Sequence, residues 1–242
     1  ASLENIGFTD FNSISPNSLT WRWDNPNGDL DSLAIGDYRT EDKIYILDRG
    51  YNIDGSFRSP RYKKFIVDTV TDTYYTIRHA NIDNSDMIVE QINKDYTTNM
   101  IRYSFESNMT SSLEPNKEDW DLLFTQYTHL FPNNISTPAY LVTGVLLNSS
   151  YGAQAAIDTI NSFQEISFSN ITDYSFSKNQ DIIGYNWKEY SFDNQSYTTN
   201  SNIHYIIKTH DNRYFKLRFI DFYNSIGEKG HPTFEAKELI NF

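Results

Sequence analysis

The sequence predicts an all-β protein, an antiparallel, β-sandwich-like fold with at most one or two short helices. Three observations lead there. The chain of 242 residues carries 38 aromatic side chains against 8 Ala, so the residues that suit pleated surfaces abound while the best helix former is scarce. Its apolar residues fall in short runs separated by Asn, Asp, Gly and Pro, the pattern of strands joined by turns. Near the end, residues 203–209 and 213–222 flank His210-Asp211-Asn212, and the second run alternates Phe215, Leu217 and Phe219 with Lys216 and Arg218. That alternation reads as an antiparallel hairpin over a core.

Taken in order, the opening through Pro26-Asn27-Gly28-Asp29 reads as irregular, with Trp21 and Trp23 on one side of a short strand. Strands are expected over 43–48, 62–69, 73–80, 87–93 and 100–106. Val70-Thr71-Asp72 has the length of a hairpin connection, and residues 81–86 join the next pair. Residues 111–118, Ser-Ser-Leu-Glu-Pro-Asn-Lys-Glu, are the best candidate for a boundary between two β layers or subdomains. Beyond it Trp120, Leu122, Phe124 and Gln126 alternate with Asp121, Leu123, Thr125 and Tyr127, and Pro132 with Asn133-Asn134 ends the strand. Residues 140–147 read as a buried strand. Residues 152–160 hold three of the eight alanines and are the one place where a short helix is expected.

Composition excludes several function classes. With 20 Lys plus Arg against 32 Asp plus Glu, the formal charge of −12 disfavours nucleic acid or an anionic membrane as partner. Without cysteine there is no disulfide, zinc ribbon, iron–sulfur cluster or thiol nucleophile. No apolar run approaches the roughly 18 to 20 residues of a spanning helix. There is no Gly-x-Ser-x-Gly elbow, phosphate-cradling Gly loop or His-Glu-x-x-His, and His79, His129, His204, His210 and His231 are scattered, so no enzyme is expected. Asp24-Asn25-Pro26-Asn27-Gly28-Asp29 lacks the spacing and terminal Glu of an EF-hand and reads as a solvated turn. His204 is expected on the polar face of its strand. Met87, Met100 and Met109 read as core thioethers before they read as iron ligands.

Tyr174, Phe176, Tyr185, Trp187, Tyr190, Phe192 and Tyr197 lie close together among Asn, Ser and Asp, with more aromatic surface than one sheet face normally buries. Two readings stand: a platform on which a flat ligand stacks, or rings filling a β core and its edges.

Glu118-Asp119-Trp120-Asp121-Leu122-Leu123-Phe124, Val142-Thr143-Gly144-Val145-Leu146-Leu147, Tyr205-Ile206-Ile207-Lys208-Thr209 with Tyr214-Phe215-Lys216-Leu217-Arg218-Phe219, and Phe222-Tyr223-Asn224 through Gly230 to Phe234-Glu235 resemble the HmuY-like haem-binding lipoproteins of Bacteroidota. The likeness spans about Asn99 to Leu239, which suggests residues 1–98 as an N-terminal β extension packed on a main domain of residues 99–242. It implies a hand-shaped fold with projecting hairpins on the outer membrane of a Gram-negative cell, as a cell-surface lipoprotein whose mature chain lacks its signal peptide and lipid-anchor cysteine. It further implies a haemophore that takes haem b, in the ferric form, from host haem-carrier proteins and passes it to a TonB-dependent outer-membrane receptor.

The family's two axial ligands, His or Met, do not transfer. The position where bis-His members place one ligand falls on Phe192, and the interval between His129 and His204 contains neither His nor Met. Three readings follow. A phenolate from Tyr174, Tyr185, Tyr190 or Tyr197 holds the iron, with Phe192 stacking on the macrocycle and Phe176 beside it. Alternatively His129 or a methionine ligates from outside the aligned hairpins. In the third reading the protein is a surface β-sandwich for glycans or proteins, with Trp21 and Trp23 as sugar platforms.

Overall fold

The computed structural model describes residues 2–5, 11–14, 21–38, 43–131 and 139–241. These form fifteen strands, short 3-10 turns and no α-helix, in purely antiparallel sheets. The chain divides into two compact units, Ala1–Asn25 with Asp29–Pro115 and Pro26–Gly28 with Asn116–Phe242. No helix among the described residues is long and apolar enough to cross a membrane.

The first unit is a five-stranded sheet in sequence order: β1 (Ser2–Asn5), β2 (Ile44–Asp48), β3 (Tyr62–Val70), β4 (Tyr74–Asn81) and β5 (Ile88–Asn93). A strand over 2–5 therefore replaces part of the irregular opening expected from sequence. On one face Ile44, Ile46 and Ala80 pack with Phe11, Ile14 and Trp21, the last stacked on Tyr62 at 5.8 Å. On the other, Tyr45, Phe65 and His79 lie side by side across three strands, with Tyr45 stacked on Phe65 at 5.0 Å. The hairpin of β6 (Arg102–Ser104) and β7 (Met109–Ser111) is shorter than the strand expected over 100–106, and carries Tyr103 and Phe105 onto His79. Met87, Met100 and Met109 are all exposed, so none is the core thioether that the sequence suggested. Asp29 accepts from the Asp31 amide within its own turn, and Asp24 from the Ala34 amide ten residues on, so both carboxylates bond to nearby backbone.

The second unit begins with the hairpin of β8 (Leu122–Leu130) and β9 (Ala139–Leu147), in unbroken register from Leu122↔Leu147 to Leu130↔Ala139. The expected stop at Pro132 to Asn134 lies outside the described residues. There follow β10 (Gln154–Asp158), β11 (Lys188–Ser191), β12 (Ser196–Thr199), β13 (His204–Lys208), β14 (Tyr214–Tyr223) and β15 (Lys229–Glu238). β11 and β12 form a separate hairpin, while the remaining four make a sheet in the order β10-β13-β14-β15.

At its centre that sheet is buried on both faces. Ala155, Tyr205, Ile207, Leu217 and Phe219 face a core completed by Val145, Leu147, Ile183 and Trp187. Ala156 and Ile206 face Ile166, Ile171 and Leu239, with Phe168, Tyr174, Phe176 and Tyr214 around them. The helix expected over 152–160 is thus strand β10. Its alanines are needed for their size: Ala155 and Ala156 point into opposite cores, and Ala155 also exchanges backbone hydrogen bonds with Ser177 on the edge away from β13. Packing and two-sided pairing override alanine's helix propensity.

The same burial corrects the polar-face reading of His204, and it takes in Lys216 as well. His204 is buried against Phe163, while the Lys216 ammonium donates to the carbonyls of Phe163 and Ile166 at 2.6 and 2.9 Å. Polar residues on this face are covered by residues 159–176, and Lys216 finds backbone acceptors in place of water. The strand expected over 140–147 is buried only in its second half, and Tyr140 and Leu141 are exposed.

One further segment closes the first core. Val145 and Gly184 exchange backbone hydrogen bonds of 2.9 and 3.0 Å, and Leu147 donates to Gln180 at 2.7 Å, so residues 180–184 lie along β9 opposite β8. A Cβ on Gly144 would collide with the Gly184 carbonyl, and Gly184 itself sits at φ +56°. Both positions therefore require glycine. The segment delivers Trp187, which stacks on Phe219 at 4.0 Å and is almost fully buried. Trp187→Ala is expected to lower stability by about 3–5 kcal/mol in urea unfolding; a loss under about 1 kcal/mol would show that this stack does not hold the core.

Candidate functional site: an aromatic cleft beside the β11–β12 hairpin

Rings run continuously from that core to the surface. From Trp187 the contacts pass to Phe222 at 5.6 Å, on to Tyr197 at 5.0 Å, Tyr190 at 4.9 Å and Phe192 at 5.1 Å. Register explains the last three: Tyr190 faces Tyr197 across β11 and β12, and Phe192 follows at the hairpin tip, where it is 85% exposed. Tyr197 is fixed further by its amide, which donates to the Tyr223 hydroxyl at 2.7 Å.

Phe222, Tyr197, Tyr190 and Phe192 line an open cleft of about 1130 Å³. The exposed half of β9, Tyr140 to Thr143, also lines it, together with Gln126 of β8, Phe131, Tyr185 and Asn186, and Lys229 and Gly230 of β15. Somewhat larger than ordinary ligand pockets, with aromatic rings interspersed with amide and charged side chains, it suits a large flat molecule that also carries polar groups.

Four of the six aromatic residues expected at a ligand site, Tyr185, Tyr190, Phe192 and Tyr197, line this cleft. Tyr174 and Phe176 do not. They belong to the core on the other face of the four-stranded sheet, where Phe176 meets Tyr214 at 5.8 Å and the Tyr174 hydroxyl donates to Asp158 at 2.6 Å. Burial, and then the hydrogen bond to Asp158, raise the Tyr174 phenol well above its usual range. The residues that sequence reasoning missed are Tyr140, Leu141 and Lys188. Tyr140 and Leu141 were hidden in an apolar run that looked uniformly buried.

His129 stands behind the cleft wall. Its ring meets Tyr185 at 5.0 Å and Phe131 at 4.8 Å, both of them lining residues, and its Nδ1 is buried without a hydrogen-bond partner. Close by, the Tyr127 hydroxyl is also buried and unpartnered. Burial raises the Asp181 carboxyl, with His129 pulling the other way, and burial followed by the Asp181 charge raises the Tyr127 and Tyr185 phenols. Burial also raises the Tyr197 phenol. Among the described residues no cluster of three or more His, Asp or Glu could hold a bare metal ion. Trp21, one of the two suggested sugar platforms, is committed to the core of the first unit.

The family model of the HmuY protein matches residues 4–235. The chain belongs to the HmuY protein family. Membership runs through both units, well beyond the stretch from Asn99 in which the likeness is visible by eye. No curated protein and no solved structure matches the chain.

Burial pushes the Asp158 carboxyl up, but hydrogen bonds from Tyr174, Asn161 and the amides of Asn161 and Ile160 outweigh it and hold the group at about 2. A carboxylate depressed in the folded state adds stability that is present above its unfolded value near 4 and lost as pH falls towards 2. Tyr174→Phe is expected to cost about 1–3 kcal/mol at neutral pH and to move the acid limb of the stability curve towards neutrality. An acid limb identical to wild type would refute this assignment of the Tyr174 hydroxyl.

Proposed function

We propose that this protein binds haem in the aromatic cleft of its second unit. The observation that carries the reading is that a chain of the HmuY family, a haem-binding family, presents a cleft of about 1130 Å³ walled by Tyr140, Tyr185, Tyr190, Phe192 and Tyr197. The residues fit the group. Tyrosine rings offer π faces to a flat macrocycle, and Leu141 and Val142 add apolar surface to exclude water. Iron donors are at hand as phenols at Tyr190, Tyr197 and Tyr185, or as the imidazole of His129, whose Nδ1 has no partner. Phe192, at the position where the resemblance puts a histidine, supplies a ring and no ligand. Tyrosine ligation favours ferric iron, so a phenolate site here would release haem on reduction. The protein is further read as a haemophore of the outer membrane or cell surface, taking haem from host carriers and delivering it to a TonB-dependent receptor. Release through a change of iron state would suit such a transfer role.

Titration with ferric haem, followed by Soret absorbance, tests the reading. Saturable 1:1 binding is expected, weakened at least tenfold by Tyr190→Phe or Tyr197→Phe if a phenolate ligates, or by His129→Ala if the imidazole does. A spectrum identical to free haem in both redox states would refute haem binding.

A further inference from the structure

Lys188 opens β11 and is only 8% exposed, yet it lines the cleft. Its ammonium lies over the rings of Trp187 at 4.4 Å, Phe222 at 4.8 Å and Tyr197 at 5.7 Å, and donates to the Thr143 carbonyl of β9. An ammonium has three N–H donors, and a single carbonyl engages one of them. The other buried lysines are better provided for. Lys63 pairs with Asp86, Lys64 donates to a carbonyl and to Asn84, and Lys216 is held between two carbonyls. Lys188, among the described residues, has no carboxylate partner.

The cleft as a whole repeats this imbalance. Its charged lining residues are Lys188, Lys229 and Glu189, a positive excess in a chain of formal charge −12. A cation taken from water and given aromatic faces but no counter-ion is incompletely compensated, and a ligand carboxylate would complete it with a charge-assisted hydrogen bond.

We propose that Lys188 is the carboxylate receptor of the cleft, selecting flat aromatic ligands that bear a carboxylate over uncharged ones of the same shape. The inference rests on the reading of the cleft as a ligand site, and haem, through its propionates, is one member of the class it selects. Burial pulls the Lys188 amine down to about 8, so the receptor is charged at neutral pH and loses its charge in mildly alkaline solution. The titratable side chains that line the cleft with it are Tyr140 on β9, Tyr185 before β11, Glu189 and Tyr190 on β11, Tyr197 on β12 and Lys229 on β15, and Tyr223 of β14 accepts from the Tyr197 amide. Arginine at position 188 keeps its charge throughout that window, so comparing Lys188 with Lys188→Arg isolates the one group.

The test is a fluorescence titration with 1-pyrenebutyrate and the uncharged 1-pyrenebutanol, on wild type, Lys188→Met and Lys188→Arg, at pH 7 and pH 9.5. Wild type is expected to prefer the carboxylate by about tenfold or more at pH 7 and to lose most of that preference at pH 9.5. Lys188→Met should lose it at both pH values while still binding the alcohol, and Lys188→Arg should keep it at both. Equal affinity of wild type for the two probes, failure to bind either, or a preference that survives in Lys188→Met would overturn the proposal. Should Lys188→Met fail to fold, the opposite pH responses of Lys188 and Lys188→Arg decide the matter alone. Parallel titration with ferric haem and its dimethyl ester separates the two readings. Binding of neither haem form with a normal pyrene result defeats haem alone, whereas equal binding of both defeats the receptor role of Lys188 alone.

Discussion

The second unit depends on one constraint, that its four-stranded sheet has no solvent face at the centre. β13 is buried at His204, Tyr205, Ile206 and Ile207 in succession, so neither phase of its alternation reaches water. A sheet covered on both sides has to place small residues where its neighbours come close, and polar ones where backbone acceptors wait. Ala155 and Ala156 answer the first need and Lys216 the second. The constraint also splits the aromatic-rich stretch of 174–197. Its first part, with Tyr174 and Phe176, is used to cover one face, and its later part is released to the other side through Gly184 and Trp187.

The cleft arises where this burial stops. β9 is core at Val145 and Leu147 and cleft wall at Tyr140 and Leu141, within one continuous strand. The β11–β12 hairpin makes the same passage in the opposite sense, from Trp187 stacked on Phe219 to Phe192 in solvent. A site built this way inherits rigidity from the core, because each ring leans on the one beneath it. It also strands polar groups at the transition: Lys188 without a carboxylate, and His129 Nδ1 and the Tyr127 hydroxyl without partners. Such incompletely satisfied groups are costly for folding alone and informative about ligands.

Most strands were readable because period-2 alternation and turn residues survive in one dimension. The hairpin around His210-Asp211-Asn212, the turn after Val70 and the alternation of β8 are local patterns. The errors share a cause. The helix expected at 152–160 rests on propensity where packing decides, the three methionines do not enter the core that the sequence suggests for them, and the polar face expected at His204 is covered by residues 159–176, which are remote in the chain. Of the site, Tyr185, Tyr190, Phe192 and Tyr197 were legible as an aromatic excess. Lys188 was not, since a lysine beside a strand ordinarily points to water.

The sequence by itself determined the β class, the succession of hairpins, kinship with the HmuY family and the mismatch at Phe192, because these depend on residue identity, alternation and short-range turn chemistry. Only the tertiary structure decided which aromatic rings are core and which are cleft, and which buried polar groups lack partners. Those outcomes depend on long-range contacts such as Val145 with Gly184 and Lys188 with Thr143, between residues far apart in the chain, and no local pattern encodes which side chains such contacts leave unsatisfied.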